Sequence, residues 1–216
     1  MSVIGIVDDR DDVRAIMLDN VRLALPDGWE AIDISPWNSL DNYPSWISQE
    51  EIVALIIDER LNEVANASGA VDYEGHDLVD YMRQHMPEFP IFVVTSYKED
   101  ALELGERFKD VEDIIERNQF YERSSDYIPR IIRAGQRYLQ TFERELAELG
   151  DFAKKSAIGE DSSTEEHERA KAIQTKIETA FPIENIASRG ELLSQMEQLI
   201  AELETLKTDI EQQAKR

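Results

Sequence analysis

Hydrophobic and polar positions in this chain fall into two regimes. Up to about residue 125, short apolar runs alternate with amphipathic stretches. VIGIV at 3–7 is a β-rich run, and DDVRAIMLDNVRLAL at 11–25 carries Val13, Ile16, Met17, Val21 and Leu25 on a helical period before PDG ends it at 26–28. WEAIDIS at 29–35 alternates as a strand does, and IVALIID at 52–58 is a continuous apolar run closed by an aspartate. GHDLVDYMRQHM at 75–86 predicts a helix stopped by Pro87, and PIFVVTS at 90–96 another buried strand. KEDALELGERF at 98–108 predicts a helix, and VEDIIER at 111–117 a fifth strand. Apolar runs without alternation suit strands covered on both faces. The alternation of strands and helices therefore predicts a doubly wound, five-stranded parallel α/β sheet.

Beyond residue 125 the period becomes purely helical. Ile128, Ile131, Gly135, Tyr138, Phe142, Leu146 and Leu149 recur at mostly three- and four-residue steps, with Ser125 and Asp126 as N-cap candidates and Pro129 in the first turn. GEDSSTEEHERAK at 159–171 is acidic and predicts a solvated loop leading into another helix striped by Ala170, Ile173, Ile177 and Ala180, interrupted by Phe181-Pro182. Leu192, Met196, Leu199, Leu203, Leu206 and Ile210 then follow a coiled-coil spacing for under three heptads. The expected division is a sheet domain over 1–138 and an α-helical, partly coiled-coil extension over 139–216. That seam suits either a bundle within the chain or a homodimer through the C-terminal helices.

Charge narrows the classes of function. With 46 Asp and Glu against 23 Lys and Arg, the formal net charge is −23. Binding a nucleic-acid backbone or an anionic membrane needs clustered cations, so both are disfavoured. No cysteine is present, which excludes disulfides and thiolate metal sites. The N-terminus MSVIGIVDDR lacks a signal-peptide pattern, and no apolar run reaches the roughly 20 residues of a membrane span. A cytoplasmic protein is the expectation.

The chemistry gathers where the strands end. In an open α/β sheet, ligands bind beyond the carboxyl ends of the strands. Those ends carry Asp8 and Asp9, Asp58, Thr95 and Ser96, and Glu116 and Arg117. Three converging carboxylates repel one another unless a hard cation joins them. Mg2+ suits a few carboxylate or carbonyl oxygens with retained waters. A carboxylate beside such a cation can attack phosphorus, while a hydroxyl and a fixed positive charge hold the phosphoryl oxygens. Asp11 and Asp12 are better read as acids favoured at a helix start.

IGIVDDRDDVR, ALIIDERLN, EGHDLVDYMRQ and PIFVVTSY resemble, in order and spacing, the receiver domain of two-component response regulators over about residues 2–140. The resemblance implies the flavodoxin-like receiver fold, with Asp8 and Asp9 as the acidic pair and Asp9 a direct metal ligand. It implies Asp58 as phosphoacceptor, the Arg60 backbone carbonyl as a further Mg2+ ligand, Thr95 as the hydroxyl that follows the phosphoryl group, and Gly75 as the glycine before the third helix. Its implied partners are a sensor histidine kinase or a phosphotransfer protein. It implies signal relay and not a metabolic enzyme.

Three features depart from the family. Arg117-Asn118 stands where the family has lysine–proline, so a planar fork replaces a point charge. Ile114 replaces the usual switch aromatic, and the loop NEVANASGAVDYE at 62–74 is long. Arg117 and Ile114 favour an alternative, a pseudo-receiver that binds partners without being phosphorylated. A Mg2+-dependent aspartyl phosphatase is disfavoured because Arg60 occupies the position where such enzymes place a second aspartate. His76 and His85 read as surface or capping residues, and His167 as a solvated side chain.

Overall fold

The computed structural model describes residues 1–64, 69–96, 110–157 and 163–180, with residues 178–180 described by backbone alone. The elements run β1 (Ser2–Val7), α1 (Asp11–Ala24), β2 (Trp29–Ile34), α2 (Asn42–Gln49), β3 (Ile52–Ile57), α3 (Gly75–His85), β4 (Ile91–Thr95), β5 (Asp113–Glu116), α4 (Arg117–Glu122), α5 (Ser124–Ala157) and α6 (Thr164–Ala180). All strand pairs are parallel, in the order β2-β1-β3-β4-β5. The continuous apolar runs occupy the middle of the sheet: every residue of β3 and β4 is buried, whereas the alternating β2 forms one edge and is mostly half-exposed.

Strand periodicity sorts the core into two layers. Ile4 and Ile6 of β1, Ala54 and Ile56 of β3, and Phe92 and Val94 of β4 pack with Met17 and Val21 of α1, Phe120 of α4 and Ile128, Ile131 and Ala134 of α5. The intervening residues face the opposite way. Gly5 is one of them, and a Cβ there would stand 2.8 Å from the Trp46 ring of α2. The lack of a side chain at residue 5 thus lets an indole lie against the sheet. The expected doubly wound parallel sheet is the fold observed.

Some local expectations change. Ile16 is half-exposed, since the buried stripe of α1 is Val13, Met17 and Val21. Helix α2 was not among the expected elements; its buried face combines Tyr43, Pro44, Trp46 and Ile47. Helix α5 begins at Ser124, ahead of both N-cap candidates, and contains Pro129 in its interior. The acidic stretch before α6 is helical from Thr164: the Glu166 amide donates to Ser163 Oγ (3.1 Å) and the Ser163 amide to Glu166 Oε2 (2.9 Å). This reciprocal capping box satisfies two amides that the helix leaves open. The expected helix at 98–108, the Phe181-Pro182 break and the leucine seam at 192–210 lie outside the described residues.

The chain divides into two units, Met1–Leu139 and Gln140–Arg216, with the division inside α5. In the second unit, Phe142 and Glu145 of α5 and Ala170, Ile173 and Ile177 of α6 are buried. Glu145 takes an ion pair from Lys176 Nζ (2.9 Å) and a longer one from Arg169 Nη2 (4.0 Å).

Candidate functional site

Sheet register assembles the site. Val7 of β1 pairs with Ile57 of β3, and the Asp58 amide donates to the Val7 carbonyl (3.0 Å), so Asp8 and Asp58 emerge side by side. Thr95 and Glu116 are partnered at the ends of β4 and β5, and Arg117 opens α4 directly afterwards. Asp8, Asp9 and Asp58 are 0, 4 and 5% exposed, and one carboxylate oxygen from each lies within 4.8 Å of the others. The three strand-end acids therefore converge, and no part of that cluster is a solvated loop.

Among the described residues, one cation pairs with the cluster. Arg117, itself buried, brings Nη2 to 2.8 Å from Asp58 Oδ2 and 3.3 Å from Asp8 Oδ2. Asp8 Oδ1 accepts the Arg10 amide (2.9 Å), and Asp9 Oδ2 accepts the Val64 amide (2.6 Å). Asp9 Oδ1, Asp58 Oδ1, Arg117 Nε and Tyr121 Oη are buried without a hydrogen-bond partner. At about 4.8 Å, two ionised carboxylates repel by about 3 to 4 kcal/mol at an effective dielectric of about 20. Burial, and next the neighbouring Asp58, push the Asp8 carboxyl up to about 7. Burial also raises Asp9, and it raises Asp58 despite the opposing Arg117 guanidinium.

These residues fit a divalent cation. Among the described residues, three ionised carboxylates against the Arg117 guanidinium leave a negative excess that a divalent ion would neutralise. The two oxygens without partners belong to Asp9 and Asp58, and carboxylate oxygens are the donors that hard cations take. Arg60 lies two residues beyond Asp58 with its side chain on Glu63 (2.6 Å). Thr95 is 2% exposed at its strand end, and Ile114 sits in β5 opposite Val93. Gly75 opens α3 against the chain leaving β3. Its amide donates to the Glu59 carbonyl (2.6 Å), and a Cβ would collide with the Asp58 carbonyl oxygen. No larger residue fits there without moving the backbone of Asp58.

Several contributors were not anticipated from sequence. Glu59 is buried beside Asp58 and engages His76 twice: Oε2 accepts the His76 amide and Oε1 meets Nδ1, each at 3.2 Å. His76 also lies near Glu74 and Asp77, so it ties the turn after β3 to the first turn of α3. His85 stacks on Tyr81, with ring centroids 4.0 Å apart, and His167 is exposed against Phe152. The long loop after β3 is held near both described ends. Val64 caps Asp9, and Tyr73 donates to the Trp37 carbonyl (2.6 Å) while accepting from Tyr43 (2.9 Å). Tyr121 stands one helical turn after Arg117, a spacing that would have been legible had α4 been foreseen.

No protein-family model matches this chain, and no curated protein matches it. Solved structures do. A response regulator receiver domain protein from Clostridium thermocellum is 13% identical, with 65% of this chain and 99% of that one covered at a TM-score of 0.48. A signal receiver domain from Vibrio parahaemolyticus is 14% identical over 64% of this chain and 93% of that one, at a TM-score of 0.45. A response regulator protein of Thermotoga maritima, solved in complex with Mg2+ and BeF, is 12% identical over 61% and 99%, also at 0.45. The likeness is one of fold. Among the described residues no helix is long and apolar enough to cross a membrane.

Proposed function

We propose that this protein is a response regulator that accepts a phosphoryl group on Asp58. The observation that carries the reading is the buried, under-neutralised acid cluster, with one oxygen of Asp58 and one of Asp9 left without a partner. Mg2+ would be held by Asp9, Asp58 and the Arg60 carbonyl, with Asp8 beside them, and when bound would neutralise charge on the phosphoryl oxygens. The Asp58 carboxylate attacks phosphorus, and the leaving group departs with its bonding electrons. Arg117 is already beside Asp58 and would turn from carboxylate to phosphoryl oxygens, which a planar guanidinium suits. Thr95 would follow the phosphoryl group with its hydroxyl. The donor would be a sensor histidine kinase or a phosphotransfer protein. Output through the helical extension, by dimerisation or partner binding, is part of the same reading.

The second reading is a pseudo-receiver. Its supporting observation is that Arg117 already bridges Asp58 and Asp8, an internal ion pair that phosphorylation must open. Intact mass after exposure to acetyl phosphate separates the two. A single phosphate adduct that requires both Mg2+ and Asp58, and is absent in Asp58→Ala, is the expected result. No adduct in the native chain favours the pseudo-receiver.

A further inference from the structure

We infer that the Tyr121 hydroxyl is a catalytic donor to the phosphoryl group entering at Asp58, acting beside Arg117 from the same face of α4. The inference rests on the reading of Asp58 as phosphoacceptor and adds a residue to that site. Tyr121 and Arg117 are four residues apart on one helix, so their side chains project together. The ring of Tyr121 is accounted for by packing, since it lies edge-on to Phe120 at 6.3 Å and against the core. Its hydroxyl is not accounted for, because it is buried without a partner. A phenylalanine would fill the same space without stranding a donor.

The unmet groups of the site complement one another. Asp9 Oδ1 and Asp58 Oδ1 are unmet acceptors, suited to a cation; Arg117 Nε and Tyr121 Oη are unmet donors, suited to an anion. The charges acting on the Tyr121 hydroxyl are those of Arg117, Asp8, Asp58 and Asp12, and burial keeps the phenol protonated and hence a donor. A phosphoryl group on Asp58 is an anion with three acceptor oxygens. In transfer from acetyl phosphate, a bond forms between an Asp58 carboxylate oxygen and phosphorus. The bond from phosphorus to the acetyl oxygen breaks, its electron pair leaves with acetate, and no proton changes hands. Charge is spread over the three non-bridging oxygens at the transition state, where a preorganised donor has most effect.

The experiment compares the native chain with Tyr121→Phe: adduct formation followed by intact mass over a range of acetyl phosphate concentrations with Mg2+, alongside Mg2+ affinity and melting temperature. The expected result is a rate at saturating acetyl phosphate reduced by about tenfold or more, unchanged Mg2+ affinity, and a melting temperature no lower than native. An equal rate in Tyr121→Phe would overturn the inference alone. So would a slower rate accompanied by weakened Mg2+ binding and a lowered melting temperature, since that is the mark of a packing role. No adduct in the native chain would overturn both this inference and the reading of Asp58.

Discussion

The helical unit and the carboxyl edge of the sheet each bury acids, and they handle the charge in opposite ways. In the helical unit, Glu145 is 6% exposed and draws on two cations, Lys176 and Arg169. At the carboxyl edge of the sheet lie three aspartates at least as buried; among the described residues the Arg117 guanidinium pairs with two of them, Asp8 and Asp58, and an oxygen each of Asp9 and Asp58 has no hydrogen-bond partner. The first arrangement is closed in charge: Glu145 Oε2 makes no hydrogen bond, but the Lys176 ammonium stands 2.9 Å from it. The second is open, and a folded protein keeps such an arrangement where something from outside completes it. Burial of an acid does not by itself mark a site; the mismatch between buried charge and buried partners does.

The contrast can be tested first through pH, where the effect should be largest. Asp8 titrates near 7 in the folded chain without a cation, against an ordinary 3.8. Between those values the folded state holds a proton that the unfolded state has lost. Stability therefore falls as pH rises through this window, by up to about 4 kcal/mol from this group at about 1.4 kcal/mol per unit. Asp9 and Asp58, also raised by burial, act in the same direction. Thermal melts with EDTA should show a lower melting temperature at pH 8 than at pH 5.5, and saturating Mg2+ should narrow the gap. A melting temperature that rises with pH in EDTA would place the cluster in the closed class with Glu145.

A smaller effect is expected at the closed site. Lys176→Ala leaves Glu145, among the described residues, with the longer Arg169 contact and should cost about 1 to 3 kcal/mol, read as earlier loss of far-ultraviolet circular dichroism. Because the charge is met within the chain, Mg2+ should not restore it. The paired replacement Glu145→Leu with Lys176→Met should recover most of the loss, as apolar side chains often substitute well for a buried ion pair.

Much of the sheet was legible because β1 and β3 are read one run at a time: five or six apolar residues, then an acid. IVALII followed by Asp58, and VIGIV followed by Asp8 and Asp9, specify both a buried strand and what stands at its end. Convergence then follows from the parallel topology alone. What lay beyond reach depends on contacts between distant segments. The Val64 amide on Asp9, 55 residues away, and Arg117 bridging Asp58 and Asp8 are products of loop path and side-chain reach. Helix α2 went unread although Tyr43, Trp46 and Ile47 stand at the helical spacing i, i+3, i+4, because it is only eight residues long and carries Pro44 in its first turn. The start of α6 was misread for a different reason. The acids around Ser163 resemble a solvated loop, yet the same Ser163-Thr164-Glu165-Glu166 spacing builds a capping box.

The most direct measurement is a calorimetric Mg2+ titration at pH 8 of the native chain and of Asp9→Asn. One ion bound per chain, with affinity reduced by about 100-fold or more in Asp9→Asn, is the result predicted for an open cluster completed by a cation. No Mg2+ binding by the native chain, or binding that Asp9→Asn leaves unchanged, would contradict it.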